Sequence, residues 1–254
     1  FISWVGREWT RIMIALLKRE FYIFKHNLIS YICIWTLLPM SMYLFISIPL
    51  SHHIKTDVIN YLNWSSLGNA ISASSVLVYV VSLNSILKYK YTTSFSKMML
   101  SSPRTNSQHL MAIVLWSTGV GLIQFLFSLA LTQSLNSSNL FITDIILILL
   151  YALPIIVIVS NLAIFIGLIV SSSFIRVFLT SILAIFLLFG SGLFIPLEGA
   201  PAFFHYSPLY YTILNIQNII TIDSSIVYPS IIVLIISIII FIVNLIVSHK
   251  VFRT

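Results

Sequence analysis

Six stretches of this chain stay apolar for about twenty residues or more, and a short polar break closes each one. They cover residues 28–50, 64–87, 110–131, 141–170, 175–195 and 226–248. A helix needs ~20 apolar residues to cross a hydrocarbon core of about 30 Å, so every run is near or above that length. The fourth is longer than a crossing requires, and Pro154 within it predicts a kink or a tilt. The pattern predicts an all-α polytopic membrane protein of six spans, one transmembrane domain over residues 1–254.

Residues 1–27 follow a different rhythm. At 100° per residue, Arg7, Arg11, Lys18 and Lys25 fall within about 40° of one another. Trp9, Ile12, Leu16, Leu17, Phe21, Ile23 and Phe24 cover the other side. Such a helix lies in the membrane plane, with its cations toward anionic headgroups and its aromatic side among acyl chains. It serves either as a topological anchor or as a docking element, and the pattern leaves both open.

The breaks after the first and third runs are short and polar. The break after the fifth, "PLEGAPAFFHYSPLYYTILNIQNIITIDSS" over 196–225, is too long for a turn and too aromatic for a solvated loop. Pro196, Gly199, Pro201 and Pro208 divide it, while Phe203, Phe204, Tyr206, Tyr210 and Tyr211 favour a membrane interface. It predicts one or two short helices dipping into the outer leaflet, shielded by protein or facing a wet cavity.

Charge then orients the chain. The sequence pI is near 9.6, which would suit a nucleic-acid partner if the cations formed one folded surface. They do not. With six spans, twelve of the thirteen Lys and Arg fall on one side and Lys55 alone on the other. The positive-inside rule makes the cation-rich side, with both termini, cytoplasmic. The basic balance is a topology signal, and no nucleic-acid partner is expected. The chain is expected to be an integral protein of a plasma or inner membrane. No segment combines a charged start, a short apolar core and a cleavage site, so the first run is expected to remain as a signal anchor.

Candidate chemistry is sparse. The lone Cys33 sits in an apolar run and reads as a buried, inert thiol. No phosphate-binding glycine loop, zinc-protease helix, serine elbow or paired-cysteine motif occurs. No Lys, Arg, Asp or Glu lies in the middle of a run, where ion-coupled transporters place such groups. His52 and His53 are adjacent, and neighbours on a helix point ~100° apart, which is poor ligand geometry. His205 reads as an interfacial residue. Glu198 either orients the aromatic segment or sits solvated at the end of its span. No catalytic, cofactor-binding or metal site is expected, so uphill movement of a solute would draw its energy from another subunit.

Residues 88–109, between the second and third runs, remain. They carry Lys88, Lys90, Lys97 and Arg104 and no acid. "SFSKMMLSSPRTNSQHLMA" resembles the loop after the second span in membrane subunits of ABC transporters, the ABC-2 type exporters. That loop has a glycine, a small residue, Leu, Glu, then paired apolar residues and a proline before a polar turn. Met99, Leu100 and Pro103 match the apolar pair and the proline, whereas Ser94 replaces the glycine and Lys97 the acid. The resemblance extends over the whole chain. It includes the amphipathic N-terminal helix, the six spans, and "GLFIPLEGAPAFFHYSPLYYTILNIQNI", where Ser207–Pro208 stands for a common Asn-Pro.

The resemblance implies a permease subunit that pairs with a second copy or a related chain and with two ATP-binding cassette subunits. ATP and Mg would be bound by those partners, and this chain would hold no cofactor and be no enzyme itself. Phe95, Lys97, Met98, Met99, Leu100, Pro103 and Arg104 would form a coupling helix in a groove of the ATPase. Glu198, Phe203, His205, Tyr206, Pro208, Tyr210 and Tyr211 would close the outer end of a route lined by spans one, two and five. A lipid, a lipid-linked glycan or an amphipathic drug-like molecule is the expected substrate. The rival reading is a structural or assembly subunit with no transport route; a secondary transporter comes third, for want of midspan charges.

Overall fold

The apolar runs fold as helices. A computed structural model describes residues 2–54, 61–91, 106–136, 142–189, 191–195, 208–221 and 228–251, and no strand occurs among them. The helices are α1 (Ile2–His26), α2 (Leu28–Met42), α3 (Ile48–Ser51), α4 (Tyr61–Tyr91), α5 (Asn106–Asn136), α6 (Ile142–Ile169), α7 (Ser173–Phe189), α8 (Pro208–Thr221) and α9 (Tyr228–Val251). A π-helical turn over Tyr43–Ser47 joins α2 to α3.

Among the described residues, five helical stretches are long and apolar enough to cross a membrane: Leu28–Ser51, Tyr61–Tyr91, Ser107–Asn136, Asp144–Ile169 and Ser230–Val251. They are compatible with an integral membrane protein. The fifth apolar run departs from expectation. Its helix has 17 residues, about 25 Å at 1.5 Å per residue, short of a ~30 Å hydrocarbon core. Residues 191–195 do not continue it. They bend at Gly192, whose φ is 84°, and bury Leu193 and Phe194 in the main core.

α4 is the axis of the bundle. Two thirds of its apolar window is buried, against 11% for Leu28–Ser51. The reason lies in "SSLGNAISASS" (residues 65–75), where small side chains let neighbouring helices approach closely. A Cβ on Gly68 would lie 2.5 Å from the Leu193 carbonyl oxygen, and one on Gly121 of α5 would lie 2.1 Å from Val78. Segment 191–195 therefore meets α4 where α4 has no side chain, and α5 meets it where α5 has none.

Polar side chains pin these contacts. The Ser160 hydroxyl bridges Ser82 and Ser117 at 2.9 and 2.8 Å, joining α4, α6 and α5. Asn161 Nδ2 donates to Ser237 Oγ at 2.8 Å, and Asn244 Nδ2 donates to the Asn161 carbonyl at 2.9 Å, fastening α9 to α6. Pro39 in α2 has no N–H for the carbonyl four residues earlier. Gln124 of α5 instead donates to that Trp35 oxygen at 3.3 Å and to Ser128 Oγ at 2.8 Å.

Side-chain contacts also define the two ends. At one, Arg19 meets Tyr89, Lys90 meets the Leu168 carbonyl at 2.8 Å, and the Arg176 guanidinium lies 5.8 Å from the Tyr91 ring. At the other, Tyr43 bonds to Asn136, Asn136 donates to the Leu62 carbonyl, and the Tyr61 hydroxyl donates to the Phe194 carbonyl at 2.7 Å. Thr180 bonds to Tyr79 between these levels. α7 and segment 191–195 thus run antiparallel along α4, from Tyr91 to Tyr61.

Two further expectations change. α4 continues through Tyr91, so Lys88 and Lys90 belong to its last turn rather than to a loop. Cys33 is exposed rather than buried. It lies on the outward side of α2, which packs on the bundle through few of its residues.

Candidate functional site at the α1 end of the bundle

The described residues concentrate charge where α1 meets α2, α4 and α5. Met13, Leu16 and Glu20 share one stripe of α1 and are buried. Met13 and Leu16 pack on Ala112 of α5, and this carries Glu20 inward with them. A buried carboxylate is expensive unless paired. Arg19 supplies the pair: its Nη2 donates to Glu20 and, at 2.6 Å, to the Tyr89 hydroxyl. The guanidinium also lies 5.2 Å from the Tyr89 ring centroid. Burial alone disfavours the Arg19 charge, but the hydrogen bond to Glu20 and the fields of Tyr89 and Glu20 outweigh it and raise the pKa. Arg19 is held charged at any working pH.

Tyr89 in turn sets its ring edge toward His109 of α5, with centroids 5.5 Å apart. Phe24 of α1 packs against Tyr31, Trp35 and Trp116, at centroid distances of 4.7, 5.9 and 5.9 Å. α1 is therefore fastened to the last turn of α4 and the first turns of α5. Those two turns flank residues 92–105.

Beside this junction a cavity of about 250 Å³ opens between α1, α2, α4 and α5. Glu20 of α1 and Lys88 of α4 both line it, with Asn27 at the turn between α1 and α2, Ser30 of α2, and Asn84 and Ser85 of α4. Its remaining wall is apolar, built from Ile34, Leu77, Val80 and Val81, with Tyr31 and Trp116 at the transition. A smaller, almost wholly apolar groove of about 80 Å³ separates α4 from α7 and includes Tyr79 and Thr180.

The residues singled out in the sequence are distributed as follows. Phe95, Lys97, Met98, Met99, Leu100, Pro103 and Arg104 lie outside the described residues, as do Glu198, Phe203, His205 and Tyr206. Pro208 opens α8, a position its fixed φ favours. Tyr210 is half-buried and Tyr211 exposed, their rings 5.5 Å apart. Arg7 and Arg11 lie on α1, with side chains outside the description, and Lys18 and Lys25 are exposed on it. His52 and His53 are exposed, and no group of three His, Cys, Asp or Glu among the described residues stands together to hold a metal.

Sequence reading missed Arg19, Glu20, Asn84 and Lys88 as one constellation. The pattern held a trace of it. Glu20 is four residues beyond Leu16 and seven beyond Met13, on a stripe that had to be buried. Asn84, Ser85 and Lys88 share one face of α4. Which helices those faces would meet was not readable from spacing. No family model matches the chain, and no curated protein matches it significantly.

Proposed function

We propose that this chain is the membrane subunit of an ATP-driven exporter of the ABC-2 type. Its energy would come from separate ATP-binding subunits through residues 92–104. The observation that carries the reading is the bond from Arg19 to Tyr89. It ties the amphipathic N-terminal helix to the turn of α4 that leads into the basic stretch. A push on residues 92–104 is then delivered to α1, α4 and α5 together, as a coupling element requires. Lys90 reinforces the turn by capping the carbonyl end of α6.

In this reading α7 with segment 191–195 is the sixth crossing. Its antiparallel run along α4 supports that, and the irregular backbone of 191–195 is acceptable at depth because protein shields it. Both termini then share the cytoplasmic side with Lys88, Lys90 and Arg176. The outward sides of α2 and α7 are apolar and bare, Phe174 being 78% and Ile29 79% exposed, which suits a second permease copy or related chain. Lipids, lipid-linked glycans or amphipathic drug-like molecules fit a bundle whose midspan polar groups are neutral Ser, Thr, Asn and Gln.

Purification of the chain from its native membrane, followed by identification of its partners by mass spectrometry, tests the proposal. A stoichiometric ATP-binding subunit that is lost in Leu100→Asp is the expected result. A clean preparation without an ATPase, or one indifferent to the substitution, refutes coupling and favours a structural subunit.

A further inference from the structure

We propose that the cavity between α1, α2 and α4 is a binding site for a phospholipid with a phosphoethanolamine-type headgroup, drawn from the surrounding leaflet. Its polarity is graded along the helices. On α4, Leu77, Val80 and Val81 give way to Asn84, Ser85 and Lys88 on one face, over a rise of about 16 Å. On α2, Ile34 lies at the apolar end and Ser30, with Asn27 just before the helix, at the polar end, because the two helices pass in opposite directions. An amphiphile placed there has its chain along Ile34 and Val80 and its head between Glu20 and Lys88.

Charge selects the head. Lys88 has no hydrogen bond or ion pair to any described residue, and its ammonium is free for a phosphate. Glu20, paired with Arg19, presents its side chain to the same space. A phosphate paired with a primary ammonium meets both. A glycerol headgroup satisfies Lys88 but brings only hydroxyls, and no ammonium, to Glu20. A trimethylammonium has no N–H to donate to the carboxylate. Asn84 and Ser85 add neutral donors for phosphate oxygens. Tyr31 and Trp116 stand where chain gives way to head, as aromatic residues do at a membrane interface. The proposal does not rest on ATP-driven transport and survives if no ATPase partner is found.

The test uses the full chain purified in micelles containing equal amounts of phosphatidylethanolamine, phosphatidylcholine and phosphatidylglycerol. Retained lipid is read by native mass spectrometry. Phosphatidylethanolamine is expected to be retained preferentially, and Glu20→Gln and Lys88→Gln are each expected to reduce its affinity by roughly tenfold, the loss of one charge-assisted hydrogen bond. Lys88→Gln leaves the Arg19–Glu20 pair intact, so its result stands even if Glu20→Gln loosens α1. Equal retention of the three lipids, or unchanged retention in Lys88→Gln, overturns the site. Glycerophosphoethanolamine, which has the head and no acyl chains, is expected to compete poorly. Displacement of the lipid at equal concentration would assign the cavity to a soluble ligand instead.

Discussion

Gln124 shows how one side chain corrects the defect of another. Pro39 leaves the Trp35 carbonyl without its helical donor, and Gln124 reaches across from α5 to supply one. In an apolar bundle, removing that donor leaves a half-buried carbonyl without it, at up to about 1–3 kcal/mol. Gln124→Leu is expected to lower unfolding stability in detergent by that amount. In a Pro39→Ala background, where residue 39 regains its own N–H, the same substitution should cost clearly less. A double-mutant cycle on unfolding free energies measures the difference, and equal costs in both backgrounds would disprove the pairing.

Among the elements, the docking of segment 191–195 on α4 depends most narrowly on one position. Gly68 faces the Leu193 backbone, and backbone cannot swing aside as a side-chain tip can. Gly68→Ala is expected to cost about 1–3 kcal/mol through overpacking and to raise amide hydrogen exchange at 193–195 above that of the α4 core. Gly121 faces the fully buried side chains of Val78 and Ile156, and Gly121→Ala is expected to be destabilising in the same assay as well. α9 is held differently, by the amides of Asn161 and Asn244 beside an apolar cluster that includes Ile164, Leu168, Phe241 and Leu245. Interhelical bonds of this type are worth about 1 kcal/mol each in membranes. They set the rotation of the helix more than its stability.

For the molecule as a whole, the decisive question is how many times it crosses. If α7 with segment 191–195 crosses, Lys97 and Glu198 face opposite sides. If it does not, they share one. In a Cys33→Ala background, Lys97→Cys and Glu198→Cys should be labelled by an impermeant maleimide from opposite faces of sealed vesicles. Labelling of both from the same face would reduce the bundle to five crossings and put Lys250, at the end of α9, on the side opposite the basic stretch.

The linear pattern alone determined the helices, because a membrane-length apolar run can satisfy its backbone in few other ways. It located α4, α5, α6 and α9 to within a few residues. It also showed α1 as amphipathic, since 3.6-residue periodicity needs no partner to be visible. What it could not supply was neighbours. Glu20 reads as one more polar residue until Met13 and Leu16 dock on Ala112, and Cys33 reads as buried until α2 proves peripheral. Lys88 and Lys90 look alike in sequence, two residues apart on the same turn. Tertiary structure sends Lys90 to a helix end and leaves Lys88 facing a cavity with Glu20. The reason is geometric: periodicity assigns a residue to a face, but only packing decides whether that face meets protein, lipid or an opening between helices.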